Sequence, residues 1–276
     1  MGARQRSPRR AAATDPMLKL HRRAMVLDGR AYTVLSLRPG TDFRFATNRF
    51  HETWHILSDW RGARVLARLL WGLSYQRRPG VLVLIDPAHL DPDPFDAVPS
   101  DPIVLMPSEL TVLTRQAAAH LRRRLPLRDR SHGTVRWQSF GLDAAVAELA
   151  EWRRRWRELG DDRYLPPATG WERVERIGGL IVFAGSTARL REWAVSVATL
   201  GDYGADDMDY TFLDENRDGE VQIFRQYRRR VDAARRARAE ITAAVGHLAD
   251  PADVQRLIWN RAAAIRRNAL PVIDAG

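Results

Sequence analysis

The sequence predicts an α/β fold, with α+β as the alternative, and three observations carry that reading. Short aliphatic runs bounded by Pro or Gly, "VLVLID" (81–86), "IVLM" (103–106) and "IGGLIVFAG" (177–185), have the length and composition of buried strands. Stretches with apolar residues at helical spacing lie between them, as at Leu142, Val146, Leu149, Trp152 and Trp156. The two patterns alternate along 276 residues, 45% of them hydrophobic, which is enough apolar material to close a layered core.

Residues 1–16 are basic, lack an apolar stretch and are expected to form a flexible arm. Residues 25–47 alternate β-branched or aromatic with polar residues and are broken by Asp28-Gly29 and Pro39-Gly40, which predicts an antiparallel meander. Asn48 is placed to cap a helix running to about Gln76, with Trp54, Leu57, Val65, Leu69 and Leu73 on one face. The proline-studded acidic segment 87–102 has no periodicity. Ser108 is expected to cap a helix to about Arg124, and "TVRWQSF" (134–140) to be a third buried strand ahead of a helix beginning at Leu142.

Charge, Pro and Gly cluster at 160–170, the expected boundary between an α/β region of residues 17–160 and a second half of residues 161–276. A strand (177–185), a helix (186–200), an acidic stretch and two closing helices at about 226–247 and 251–268 follow. Asp250-Pro251 supplies the cap and first residue of the last helix.

The formal net charge is +10, and Lys19 is the only lysine, so arginine carries the positive charge. Such an excess concentrates polyanions at the surface, which makes nucleic acid an expected partner. Without cysteine there are no disulfides, thiolate zinc sites or thiol nucleophiles, which fits a reducing, cytoplasmic setting. No apolar run approaches the roughly 20 residues that cross a bilayer, so no membrane partner is expected.

Within this basic chain "GADDMDYTF" (204–212) gathers Asp206, Asp207 and Asp209. Along a strand Asp207 and Asp209 project to one side, and they repel each other unless solvated, paired with arginine or shared by a divalent cation such as Mg2+. Upstream, an aliphatic strand delivers Gly185-Ser186-Thr187 to a helix start, where unpaired backbone N–H groups and the helix dipole suit a phosphate.

Through "AGSTAR" (184–189) and "DMDY" (207–210) the sequence resembles the polymerase-β-like nucleotidyltransferase superfamily. The resemblance, confined to residues 177–224, implies a nucleotidyltransferase-like second half. It further implies that Gly185 and Ser186 hold a nucleoside triphosphate, that Asp207 and Asp209 bind Mg2+, and that Glu220 supplies the third catalytic carboxylate. Arg189, one turn into the helix, would steady the triphosphate. The implied chemistry is two-metal transfer of a nucleoside monophosphate to a nucleic-acid or protein acceptor.

Other readings of the same residues stand beside it. "YTFLDENRDGEVQIF" also reads as a β-hairpin whose acids pair with the arginines of the next helix. "DENRDGEVQIFR" (214–225) resembles a calcium loop, but Arg225 occupies the position that needs a bidentate Glu. "HETWH" (51–55) matches the zinc-hydrolase pattern, in which His51 and His55 on one helix face bind the metal and Glu52 is the base. Arginine clusters at 122–124, 153–157 and 228–230 lie near tryptophan or tyrosine, a combination that can hold a nucleic-acid backbone. The expected function is thus Mg2+-dependent nucleotidyl transfer, with two alternatives: a non-catalytic basic adaptor or nucleic-acid-binding protein of a bacterial or phage system, and a zinc metallohydrolase.

Overall fold

A computed structural model describes residues 17–159, 169–204, 207–245 and 250–268. The expected arm 1–16, Asp206 and most of the expected boundary at 160–170 lie outside the described residues. The described chain is mixed α/β, with eleven strands in two sheets and six α-helices.

Strands β1 (Met17–Leu27) and β2 (Arg30–Leu37) form a hairpin about Asp28-Gly29. Both turn residues have positive φ, 51° and 71°, as the primed two-residue turns require. β2 runs parallel to β5 (Val81–Ile85), β5 antiparallel to β6 (Ile103–Pro107), and β6 parallel to β9 (Leu180–Gly185). β8 (Glu172–Ile177) closes one edge by a hairpin onto β9, and β7 (Thr134–Gln138) closes the other against β1. The seven-stranded order is therefore β7-β1-β2-β5-β6-β9-β8. A second sheet has the order β10-β11-β4-β3, from β10 (Met208–Phe212), β11 (Gly219–Phe224), β4 (Thr53–Ser58) and β3 (Ala46–Phe50). Each sheet takes strands from both sides of 160–170, so the described chain is not divided into separately packed halves there.

The continuous apolar strands β5, β6 and β9 are buried along their whole length because helices cover both faces. Helix α2 (Arg115–Arg123) packs on one face through Ala117, Ala118 and Leu121. α1 (Trp60–Leu73) and α4 (Thr187–Thr199) pack on the other, and on each other. Ile56, Val221 and Ile223 of the second sheet cover these two helices from the far side. α1 is thus buried nearly all round, which explains why ten of its fourteen residues are inaccessible. α3 (Leu142–Leu159) lies against α4. On the outer face of the second sheet lie α5 (Tyr227–Val245) and α6 (Pro251–Asn268), which pair with each other.

The acidic segment 87–102 is irregular, as expected, yet it is firmly packed. Asp91 meets Arg44 at 3.1 Å and Arg235 of α5 at 3.3 Å. Asp96 accepts from Gln255 of α6 at 2.7 Å, and its carbonyl accepts from Arg238 at 2.9 Å. Carboxylates carried by a loop thereby fasten the outer helices to the body of the protein.

Four expectations need correction. Residues 25–47 do not form one meander: β1 and β2 pair as a hairpin, and the chain after Pro39-Gly40 leaves that sheet to enter β3 of the second. Residues 48–58 are not helical: Phe50 and Thr53 flank a two-residue hairpin turn in which His51 and Glu52 have positive φ (47° and 67°), and α1 starts only after Asp59. Asp59, not Asn48, is the cap, its carboxylate accepting from the N–H groups of Arg61 and Gly62. The next helix starts after Thr114, whose hydroxyl accepts from Ala117, while Ser108 sits in a turn. β7 is an edge strand with only Trp137 buried, so its apolar residues cover one side alone.

Trp137 lies across α1 and donates to the Arg68 carbonyl at 2.9 Å. A Cβ at Gly72 would come within 2.3 Å of its indole nitrogen. Gly→Ala inside a helix ordinarily gains up to about 1 kcal/mol, whereas overpacking costs about 1–3 kcal/mol. Gly72→Ala is therefore expected to destabilise the protein, seen as a lower denaturation midpoint at unchanged m-value.

Candidate functional site

The Gly185-Ser186 bend stands where expected, between β9 and α4, and its groups are already in use. Ser186 is 3% exposed and caps α4 by accepting from the Arg189 N–H, while its own N–H donates to the Trp171 carbonyl at 2.8 Å. A Cβ on Gly170 would fall 2.0 Å from the Ser186 hydroxyl, so the 170–171 backbone lies directly over the bend. Glu109 accepts from the Thr187 hydroxyl at 3.0 Å, setting the protein's own carboxylate at the helix start. Gly185 makes room for the Trp193 ring, which a Cβ would meet at 3.2 Å.

Arg189 does not reach toward a ligand. It is 8% exposed, hydrogen-bonded to Glu192 (2.9 Å) and Glu215 (2.8 Å), and ion-paired with Glu172 at 3.0 Å. Burial raises the Glu172 carboxyl above its ordinary range, against the opposing pull of Arg189.

The acids also separate. Asp207 lies outside β10 with positive φ (54°), so it does not share the strand alternation with Asp209, and it pairs with Arg225 at 3.2 Å. Asp209 turns both oxygens to backbone N–H groups, accepting from Gly201 (2.8 Å), Asp202 (3.1 Å) and Tyr210 (2.9 Å). In the β10–β11 register Asp209 stands opposite Ile223 and Phe212 opposite Glu220. Directly opposed residues share a face and successive residues alternate, so Glu220 projects to the opposite face from Asp209. These three carboxylates do not fit a shared Mg2+. The calcium-like loop closes on itself as well, because Asp214 accepts from Asp218 (2.8 Å) and Gly219 (2.7 Å).

The zinc pattern loses its helix. His51 lies in the hairpin turn before β4 and is exposed, while His55 is 4% exposed on β4, so the two do not share one face of a helix. Among the described residues, no group of three or more His, Asp and Glu side chains is arranged to hold a metal ion.

Two of the predicted residues nevertheless meet, for a reason the sequence does not show. β4 and β11 pair in parallel with His55 opposite Glu220, bringing His55 Nε2 to 3.5 Å from Glu220 Oε2. His55 Nδ1 contacts Asn48 Oδ1 at 2.7 Å, the Asn48 side chain bonds Asp93, and Gln222 donates to Glu220 at 2.9 Å. The result is a buried chain, Asp93–Asn48–His55–Glu220–Gln222, with each side chain engaged by the next.

The surplus of positive charge appears elsewhere. Where β1, β7 and the segment after α1 meet, a cavity of about 360 Å3 is lined by Arg22, Arg78 and Arg136, with Thr33, Gln76 and Tyr75, and among the described residues no carboxylate lines it. Arg78 and Arg136 have no ion-pair partner among the described residues, in contrast to Arg44, Arg176, Arg225 and Arg228. The end of α1 does not need them: Ser74 and Gln76 already donate to the Trp71 and Gly72 carbonyls. Tyr75 is 53% exposed at the rim and carries the Arg191 guanidinium 4.5 Å from its ring centre. No feature of the sequence marked this cavity, since Arg22, Arg78 and Arg136 stand outside the three arginine clusters.

Comparison of the chain with protein-family models, with curated proteins and with solved structures gives no match in any of the three. No described helix is long and apolar enough to cross a membrane.

Burial, reinforced by the charge of Asp96, raises the Asp93 carboxyl to about 7, against the opposing hydrogen bonds from Phe95 N–H and Asn48. Between 3.8 and about 7 the folded chain thus holds a proton that the unfolded chain releases, and the stability tied to Asp93 falls as pH rises through that window. Asp93→Asn is expected to raise the melting temperature relative to the parent more at pH 8 than at pH 5, measured by scanning calorimetry.

Proposed function

We propose that this protein binds single-stranded nucleic acid without catalysing its transfer or hydrolysis, and that the β7 edge of the large sheet is the contact surface. The observation that carries the reading is the cavity lined by Arg22, Arg78 and Arg136 with no lining carboxylate among the described residues. Guanidinium groups held apart on three segments can each take a backbone phosphate, and the exposed Tyr75 ring beside them offers a face on which a base stacks. The net charge of +10 adds a long-range attraction for the same partner. Nucleotidyl transfer receives no comparable support, because Glu220 faces away from Asp209, Asp207 pairs with Arg225 and the Gly185-Ser186 bend is covered.

Fluorescence anisotropy of a labelled single-stranded oligonucleotide across a salt series tests the reading. Each phosphate contact contributes about −0.7 to the slope of log K against log salt for single strands, so combining Arg22→Gln, Arg78→Gln and Arg136→Gln is expected to flatten the slope by about 2. Affinity should fall at least about tenfold at low salt. An unchanged slope and affinity would sink the proposal.

A further inference from the structure

From Gln138, which lines the basic cavity, the chain runs through Ser139 to Phe140 and Gly141. Phe140 is 94% exposed, the most open of the large apolar side chains among the described residues. Its main chain, by contrast, is fixed. The Trp71 indole N–H donates to the Phe140 carbonyl at 2.9 Å, and the Leu142 N–H donates to the Ser139 carbonyl at 3.2 Å in a turn that leads into α3. A Cβ on Gly141 would lie 3.5 Å from the Trp71 ring, so the backbone after Phe140 rests against that ring as well. A side chain carried on a clamped backbone has little further freedom to lose when a ligand covers it.

Phe140 does not stand apart from the cavity. Two residues of chain span at most about 7 Å, so its Cα lies within that distance of the Gln138 Cα. Trp71, which holds the Phe140 carbonyl, has its ring centre 5.6 Å from that of Tyr75, and Tyr75 lines the cavity with Arg22, Arg78 and Arg136. The aromatic side chains here differ in what they offer. Trp71 and Trp137 are buried, and their indole N–H groups are spent on the Phe140 and Arg68 carbonyls. Tyr75 has one side covered by the Arg191 guanidinium, 4.5 Å from the ring centre, which leaves a single face. Phe140 keeps both faces open. A phenyl ring has no hydrogen-bonding atom and takes only flat or apolar surface. Beside three guanidinium groups, the flat surfaces that arrive joined to anions are the bases of an unpaired strand.

We infer that Phe140 enters between two successive bases of a single strand whose phosphates lie on Arg22, Arg78 and Arg136. The inference rests on the strand-binding reading above and adds to it a residue that recognises bases by stacking and makes no contact with phosphate. Two labelled ligands of equal length separate the two kinds of contact: a single-stranded oligonucleotide, and the same sugar–phosphate chain with its bases removed. Fluorescence anisotropy with the full chain should show the base-bearing strand bound more tightly than the abasic one. Phe140→Ala is expected to weaken the base-bearing strand about tenfold, in line with the loss of a stacked base, and to leave the abasic chain unaffected. The slope of log K against log salt should not change, because no phosphate contact is removed. Phe140→Trp should restore the affinity, and both variants should melt with the parent, since the side chain is exposed.

Equal affinity of the parent for the two ligands overturns the stacking role and leaves the basic surface standing, as does a salt-dependent affinity for the base-bearing strand that Phe140→Ala does not alter. If the parent binds neither ligand, the strand-binding reading fails and takes this inference with it. Self-association of the parent that Phe140→Ala abolishes at unchanged strand affinity assigns the ring to a contact between copies, and that result also overturns the inference.

Discussion

The parallel pairing of β4 with β11 holds the molecule together across 165 residues of sequence, from His55 to Glu220. Without it the second sheet would be two separate hairpins, each with an unsatisfied edge and one bare apolar face. With it, Ile56, Val221 and Ile223 form a continuous surface over α1 and α4, while Leu57 and Phe224 form another under α5. The two apolar layers that flank the second sheet depend on this one set of hydrogen bonds. It also sets the His55 imidazole beside the Glu220 carboxylate in a place where neither could remain buried alone.

Strand parity then decides which side chains can cooperate. A register in which Phe212 opposes Glu220 sends Asp209 toward the 201–202 backbone and Glu220 toward His55. Shifting the pairing by one residue would have put Asp209 and Glu220 on one side. The carboxylates of this chain serve mainly as internal ligands for guanidinium and backbone N–H groups. That role answers why so basic a protein carries acids close together: around Arg189 three glutamates converge on one cation, and around Asp91 two arginines converge on one acid.

What the sequence disclosed was what local chemistry controls. β5, β6 and β9 are legible because an unbroken aliphatic run has no side to offer water, and α4 and α6 because Ser186 and Asp250-Pro251 mark their starts. The β3–β4 hairpin was not legible, since His51 and Glu52 are poor advertisements for a turn and Trp54 with Leu57 also suits a helix. β7 (TVRWQ) alternates polar and apolar residues, unlike the unbroken aliphatic β5 (VLVLI), and at the rim of the sheet its Thr134, Arg136 and Gln138 stay exposed. Of the site residues, His55 and Glu220 were singled out for metals they do not share. Their actual partnership, and the meeting of Phe140 with Trp71, depend on long-range contacts that no window of sequence contains.

The position of β7 has a bearing on how this protein behaves in a crowd. Among the described residues no strand pairs with its outer row of amide and carbonyl groups, the circumstance in which chains stitch together edge to edge. Arg22, Arg78 and Arg136 beside it make two such rims repel, so their charge works as insulation between copies. A polyanion that masks those guanidinium groups strips the insulation away, and the concentration the molecule tolerates before it clumps is set by the salt and polymer around it.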